Sequence, residues 1–177
     1  MPFFPRIIDG GTGTEIERTG VPMNNRVWSA EAILTHPQVL SNVHRSFVEA
    51  GADLIIANTF STALHNLKQA GLERHFETMN RDAVLIAKEC AQDAPHACLT
   101  AGAISTTTFT GALDYSLLSS GDVAVAEYAH QAEIQAQAGA ELIILEMMRD
   151  LEHTAYALEG ALASGVPVWI GFSCEVN

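Results

Sequence analysis

The stretches VEAGADLII (residues 48–56) and AQAGAELII (residues 136–144) spell one unit twice. Each carries a helix tail, a glycine, an acidic residue and a short apolar run. A glycine just past a helix supplies the left-handed position that ends it. An apolar, β-branched run of that length reads as a buried strand. A weaker third copy, ASGVPVWIG, occupies residues 163–171. Three such joints predict an α/β fold in which repeated βα units build a parallel sheet.

Working outward, strands are expected at residues 6–9, 54–57, 97–102, 142–146 and 168–173. Between them, residues 37–50, 78–92, 122–138 and 151–163 each gather their apolar residues on one helical face. Thr78 is the expected N-cap of the second of these helices. Two connections are long, residues 10–35 and 104–121, and long βα loops commonly build the site in such folds. No internal boundary or low-complexity tract interrupts the pattern, so residues 1–177 read as a single domain.

Composition narrows the partners. The chain has 177 residues, 48% of them hydrophobic and 17% charged, which is a globular balance. Its net charge of −12 repels nucleic-acid phosphates and anionic lipid, so neither nucleic acid nor membrane is an expected partner. The longest apolar runs are strand-length, far short of a membrane span. Three cysteines, Cys90, Cys98 and Cys174, without CxxC spacing suit a reducing cytoplasm and read as inert core residues. The seven histidines fall mostly in helices or their flanks and read as surface residues.

Ligands of parallel α/β folds bind at the carboxyl ends of the strands. The polar residues there are Asp9-Gly10-Gly11-Thr12-Gly13-Thr14, Asn58-Thr59-Phe60, Ser105-Thr106-Thr107, Glu146, and Ser173-Cys174-Glu175. Asp9 and Glu146 each follow an apolar strand directly. Two acids at one rim suit an ammonium group, while the amides at Gly10, Gly11 and Gly13 suit a carboxylate. The pair therefore fits the two ends of an amino acid; the alternative is that each acid caps a helix or pairs with an arginine. The glycine stretch lacks the third glycine of GxGxxG and the Gly-Lys-Ser/Thr of a P-loop, which weighs against a nucleotide site.

In order along the chain, Asp9-Gly-Gly-Thr-Gly-Thr14, His36-Pro37 opening a helix, Ala50-Gly-Ala-Asp53 leading to Asn58-Thr-Phe60, and Ala138-Gly-Ala-Glu141 leading to Glu146 resemble the homocysteine-binding domain of the homocysteine S-methyltransferases. The resemblance spans residues 6–174. It implies a TIM-type parallel (β/α) barrel. It also implies methyl transfer from a sulfonium, betaine or methylfolate-type donor to the homocysteine thiol, giving methionine. Homocysteine and a small methyl donor are the implied partners, and Asp9, Gly10, Gly11, Asn58, Thr59, Phe60 and Glu146 the implied substrate-binding residues.

The resemblance further implies zinc, held in the family by three cysteine thiolates from a Val-Asn-Cys-like segment and a Gly-Gly-Cys-Cys-like segment. Neither segment occurs here, so the chain is expected to supply no zinc ligand. Zinc would lower the thiol pKa, and without it the 177 residues are expected to be inactive alone. A complete barrel takes about 250 residues, so about five βα units of an incomplete barrel are expected, with open edges that favour self-association. Two other readings remain at this point. One is a non-catalytic amino-acid-binding or assembly module that pairs with another chain. The other is an unrelated open nucleotide-binding domain.

Overall fold

The computed structural model describes residues 7–109 and 114–174. Four strands, β1 (Leu54–Ile56), β2 (Leu99–Ile104), β3 (Leu142–Met148) and β4 (Val168–Phe172), form one parallel sheet in chain order. Leu54 pairs with Leu99, Ala101 with Leu142, and Ile143 with Val168. Of the predicted first strand, Ile8 makes a single parallel bridge to Leu54. It is held by Asp53 N donating to Ile7 O and Asp9 N donating to Leu54 O. Arg6, at the start of that predicted strand, and Glu175, beyond the last, lie outside the described residues.

Among the described residues, seven helices accompany the strands: α1 (Thr12–Arg18), α2 (Ala32–Thr35), α3 (Pro37–Glu49), α4 (Leu64–Ala70), α5 (Phe76–Gln92), α6 (Gly121–Ala138) and α7 (Leu151–Leu162). The repeated joint behaves as its chemistry requires. Gly51, Gly139 and Gly165 end α3, α6 and α7 at φ of 97°, 109° and 78°, a region that L side chains rarely adopt.

Strand residues then alternate between two layers. Ile55, Ile143, Leu145 and Met148 join the helices in the main core. Leu54, Ala101, Leu142 and Ile144 form a smaller cluster on the opposite face. No helix among the described residues is long and apolar enough to cross a membrane.

Several expectations need correction. Helix α5 starts at Phe76, not after Thr78, because a 3-10 turn at Glu73–His75 runs directly into it; the cap position is His75, whose side chain makes no capping bond. Strand β2 covers Leu99–Ile104, two residues later than expected, since pairing to both neighbours sets its ends. The connection at residues 10–35 contains α1 and α2, and α4 follows β1, none of them predicted. These short helices have little intrinsic stability; buried Ile16, Ile33 and Leu67 fix them.

The histidines are not uniformly on the surface. His44 is fully buried, and His65 and His153 are nearly so. Cys90 is buried, but Cys98 is only partly so and precedes β2, while Cys174 is exposed.

One glycine sets the spacing of two helices. A Cβ on Gly160 of α7 would come within 2.7 Å of Val125 O and Ala129 N in α6. Backbone cannot yield as a flexible side chain can. Gly160→Val is therefore expected to destabilise the protein by about 3 kcal/mol, lowering the melting temperature by about 10 °C. Thermal denaturation followed by circular dichroism checks this; an unchanged melting temperature refutes it.

Candidate functional site

A cavity of about 690 Å³ opens at the carboxyl ends of the strands. Its walls come from the glycine stretch, residues 28–29, the segment after β1, and the ends of β3 and β4. Among the described residues, no lysine, arginine or histidine lines it.

Asp9 does not itself line this cavity, although its neighbours Ile8 and Gly10 do, and it is 8% exposed. Its Oδ2 accepts a hydrogen bond from Ile56 N at 2.9 Å, and its Oδ1 is buried with no partner. Burial raises the Asp9 carboxyl to a pKa of about 7; the Ile56 amide opposes this, and the nearby charge of Glu146 adds to it. Glu146 lines the cavity directly. Although its side chain keeps some surface exposure, its carboxyl is enclosed enough that desolvation raises it to about 7 as well. Among the described residues neither acid forms an ion pair, and Asp9 caps no helix. Glu146 thus lines the cavity while Asp9 lies buried close enough to feel its charge, with no basic side chain among the described lining residues, an arrangement that favours a cationic ligand.

A bulge turns Met147 into the cavity beside Glu146. Leu145 pairs with Ile170 and Met148 with Phe172, so β3 carries one more residue than β4 over this interval. Met147 adopts φ of 55° within it, a strained conformation for a non-glycine residue. As a result Glu146 and Met147, adjacent in sequence, both line the cavity, while Leu145 and Met148 enter the helix-side core.

The glycines have a more specific role than expected. Gly11 is the cap position of α1, and the first-turn amides that follow have no intrahelical acceptor. A Cβ on Gly10 would meet the Phe47 ring at 2.9 Å, and one on Gly13 the Trp28 ring at 2.7 Å. Glycine is required here for close packing of two aromatic rings, whereas Gly11 has slack, its nearest neighbour being Thr14 Oγ1 at 3.4 Å.

The Asn58-Thr59-Phe60 segment splits into three roles. Asn58 touches the cavity, but its amide is engaged with Ser29: Oδ1 accepts from Ser29 Oγ at 2.9 Å and Nδ2 donates to Ser29 O at 3.0 Å. Thr59 does not line the cavity. It is fully buried, its hydroxyl donating to Ala103 O and accepting from Ala103 N, both at 2.8 Å. Phe60 lines the wall and meets Phe109 edge to face, centroids 6.0 Å apart.

Sequence reasoning missed Trp28. It lines the cavity at φ of 47°, pinned by reciprocal backbone bonds with Asn24 and flanked by the Ser29–Asn58 pair. Strained non-glycine residues cluster at functional sites. The only sequence signal was an aromatic residue inside an overlong loop. Trp169 and Phe172 of β4 also border the cavity and remain 36% and 58% exposed.

Among the described residues no three His, Cys, Asp or Glu side chains converge to hold a metal ion. Cys174 does not line the cavity, and Cys98 has its thiol raised to about 11, chiefly by burial, the opposite of a metal-ready thiolate. The described residues do not form a zinc centre.

Residues 6–177 match the family model for homocysteine S-methyltransferase. The chain is 29% identical to a selenocysteine Se-methyltransferase of Brassica oleracea var. italica, over 96% of this chain and 56% of that protein. It is 36% identical to homocysteine S-methyltransferase 2 of Arabidopsis thaliana, over 47% of this chain and 25% of that one. Among solved structures, the metallated homocysteine methyltransferase MmuM from Escherichia coli superposes with a TM-score of 0.76 at 20% identity. That match covers 94% of this chain and 62% of MmuM, so the two share the fold over part of the MmuM length. The chain thus spans a little over half the length of the relatives it matches from end to end. On the extent of the family match, the chain belongs to the homocysteine S-methyltransferase family.

Proposed function

We propose that this chain supplies the amino-acid-binding half of a homocysteine methyl-transfer site. The observation that carries the reading is the pair of desolvated carboxyls, Asp9 and Glu146, the second lining a cavity that has no basic side chain among the described residues. The ligand ammonium donates to Asp9 Oδ1, which lacks a partner, and to Glu146. The ligand carboxylate takes the free amides that follow Gly10 and Gly11 at the start of α1. Phe60 and Trp28 wall the space, Asn58 steadies residues 28–29, and Thr59 ties the segment to β2. In the overall reaction the homocysteine sulfur forms a bond to the methyl carbon, the donor–methyl bond breaks toward the donor, and the thiol proton is released.

Zinc in this family would activate that thiol, but the side chains described here offer no site for it. No step is therefore assigned to a metal. The reading is binding by this chain, with methyl transfer dependent on ligands it does not itself provide. Fold continuity with MmuM supports part of a TIM-type barrel as the frame, here four parallel strands with the Ile8 bridge beside the first.

The test is calorimetric titration of the 177-residue chain with homocysteine, with and without zinc, beside an assay for methionine formation. Expected are binding unaffected by zinc and no methionine with sulfonium, betaine or methylfolate-type donors. Absence of binding overturns the amino-acid reading; methionine formation overturns the inactivity.

A second reading, an assembly module, is favoured by the exposed Trp169 and Phe172 on β4, whose outer edge has no strand beside it among the described residues. It predicts self-association, visible in sedimentation velocity as a concentration-dependent dimer that Phe172→Lys abolishes. A monomer at all concentrations removes it.

A further inference from the structure

The Glu146 bulge is held from the neighbouring strand. Ser105, the first residue past β2, is fully buried. Its hydroxyl donates to Glu146 O at 2.8 Å and accepts from Thr107 N at 3.1 Å. The Thr107 hydroxyl lies 3.0 Å from the same oxygen. One residue on, Thr106 Oγ1 lies 3.8 Å from the Met148 sulfur. The Ser105-Thr106-Thr107 turn therefore touches both ends of the three-residue irregularity 146–148.

This contact answers a geometric problem. A regular strand would turn residue 147 to the helix layer and let the β3–β4 ladder continue through residue 146. Instead two consecutive residues face the cavity, and Met147 is held at positive φ. A strained bulge persists only where surrounding contacts fix it. The Glu146 carbonyl lies at the start of this irregularity, and Ser105 is the buried donor that satisfies it.

We infer that Ser105 is a positioning residue for the amino-acid site: by fixing the Glu146 carbonyl it holds the backbone from which the Glu146 carboxylate meets the ligand ammonium. This rests on the amino-acid reading above. Ser105 touches no ligand in this account and acts through Glu146.

The test compares homocysteine with 4-sulfanylbutanoate, which keeps the thiol and carboxylate but lacks the amine, by calorimetric titration of the full chain. Ser105→Ala is expected to weaken homocysteine about tenfold and to leave 4-sulfanylbutanoate unchanged. Glu146→Gln is expected to produce the same selective loss, larger in size. In the Glu146→Gln background, Ser105→Ala should add nothing further, the non-additivity of two residues acting as one unit.

If Ser105→Ala weakens both ligands equally, or neither, the positioning role is overturned while the amino-acid site stands. If Glu146→Gln fails to distinguish the two ligands, or wild type binds neither, the amino-acid reading falls and this inference with it. Should the alanine variant fail to fold, Ser105→Cys keeps nearly the same volume with a weaker donor and carries the same comparison.

Discussion

Asp9→Asn is expected to weaken homocysteine binding at least about 100-fold, the effect of removing one charge from a buried charge-assisted contact, and yet to stabilise the unliganded protein above pH 7. The physical cause is the same for both effects. The Asp9 carboxyl is buried beside Glu146, and its pKa is raised to about 7 from 3.8. A carboxyl raised on folding holds its proton in the folded state while the unfolded chain has already lost it. Its contribution to stability is therefore fully present below about pH 4 and is lost as pH rises through 7. A displacement of that size corresponds to about 4 kcal/mol at most. Part of it reflects the charge on Glu146.

Asparagine keeps an acceptor for Ile56 N and removes the ionisation. Urea denaturation at pH 8 should show Asp9→Asn more stable than wild type by about 2 kcal/mol, with the two proteins converging near pH 4. Homocysteine affinity of wild type should rise between pH 6 and 8, as the acids ionise while the ligand amine stays charged. A less stable Asp9→Asn protein at pH 8, or unchanged homocysteine affinity, would remove Asp9 from the site.

His44→Leu is expected to protect the protein from acid. His44 is fully buried in α3, both ring nitrogens lack hydrogen-bond partners, and burial lowers its pKa to about 4 from 6.5. A histidine depressed on folding opposes protonation that the unfolded chain accepts freely. Its stabilising contribution is full above pH 6.5 and is lost as pH falls toward 4, a change of about 3 kcal/mol. His65 behaves alike: burial lowers it to about 4, partly offset by its contact with Thr107 O.

Over pH 4 to 6.5 these histidines lose stability on acidification while Asp9 and Glu146 gain it. The wild-type profile should therefore be shallow there, and single variants should expose each component. Denaturation midpoints at pH 5 and 7.5 test this. His44→Leu should exceed wild type at pH 5 by more than at pH 7.5, and an equal difference at both pH values would contradict the assignment.

Much of the frame was legible because it rests on local chemistry. The glycines at 51, 139 and 165 end helices through a backbone conformation that only they adopt without strain, and the apolar runs after them had to be strands. The order of those units gave a parallel sheet and placed Asp9, Gly10, Gly11, Asn58, Phe60 and Glu146 near one rim. Short helices escaped, because α1, α2 and α4 are stabilised by burial of Ile16, Ile33 and Leu67 and not by their own propensity. The ends of β2 and the start of α5 escaped for the same reason: pairing and packing set them, not residue preference.

The site divides along that line. The sequence by itself determined that two acids follow strands and that glycines follow the first of them. Only the tertiary structure decided that Asp9 is desolvated with a free oxygen, that Thr59 is a sheet tie set away from the cavity wall, and that Asn58 is occupied by Ser29. It alone brought in Trp28 and made β3 bulge so that Glu146 and Met147 share one face. Periodicity reports where a regular strand would aim each side chain. Burial, hydrogen-bond satisfaction and strain depend on partners distant in the chain, and those partners set the chemistry of the two acids.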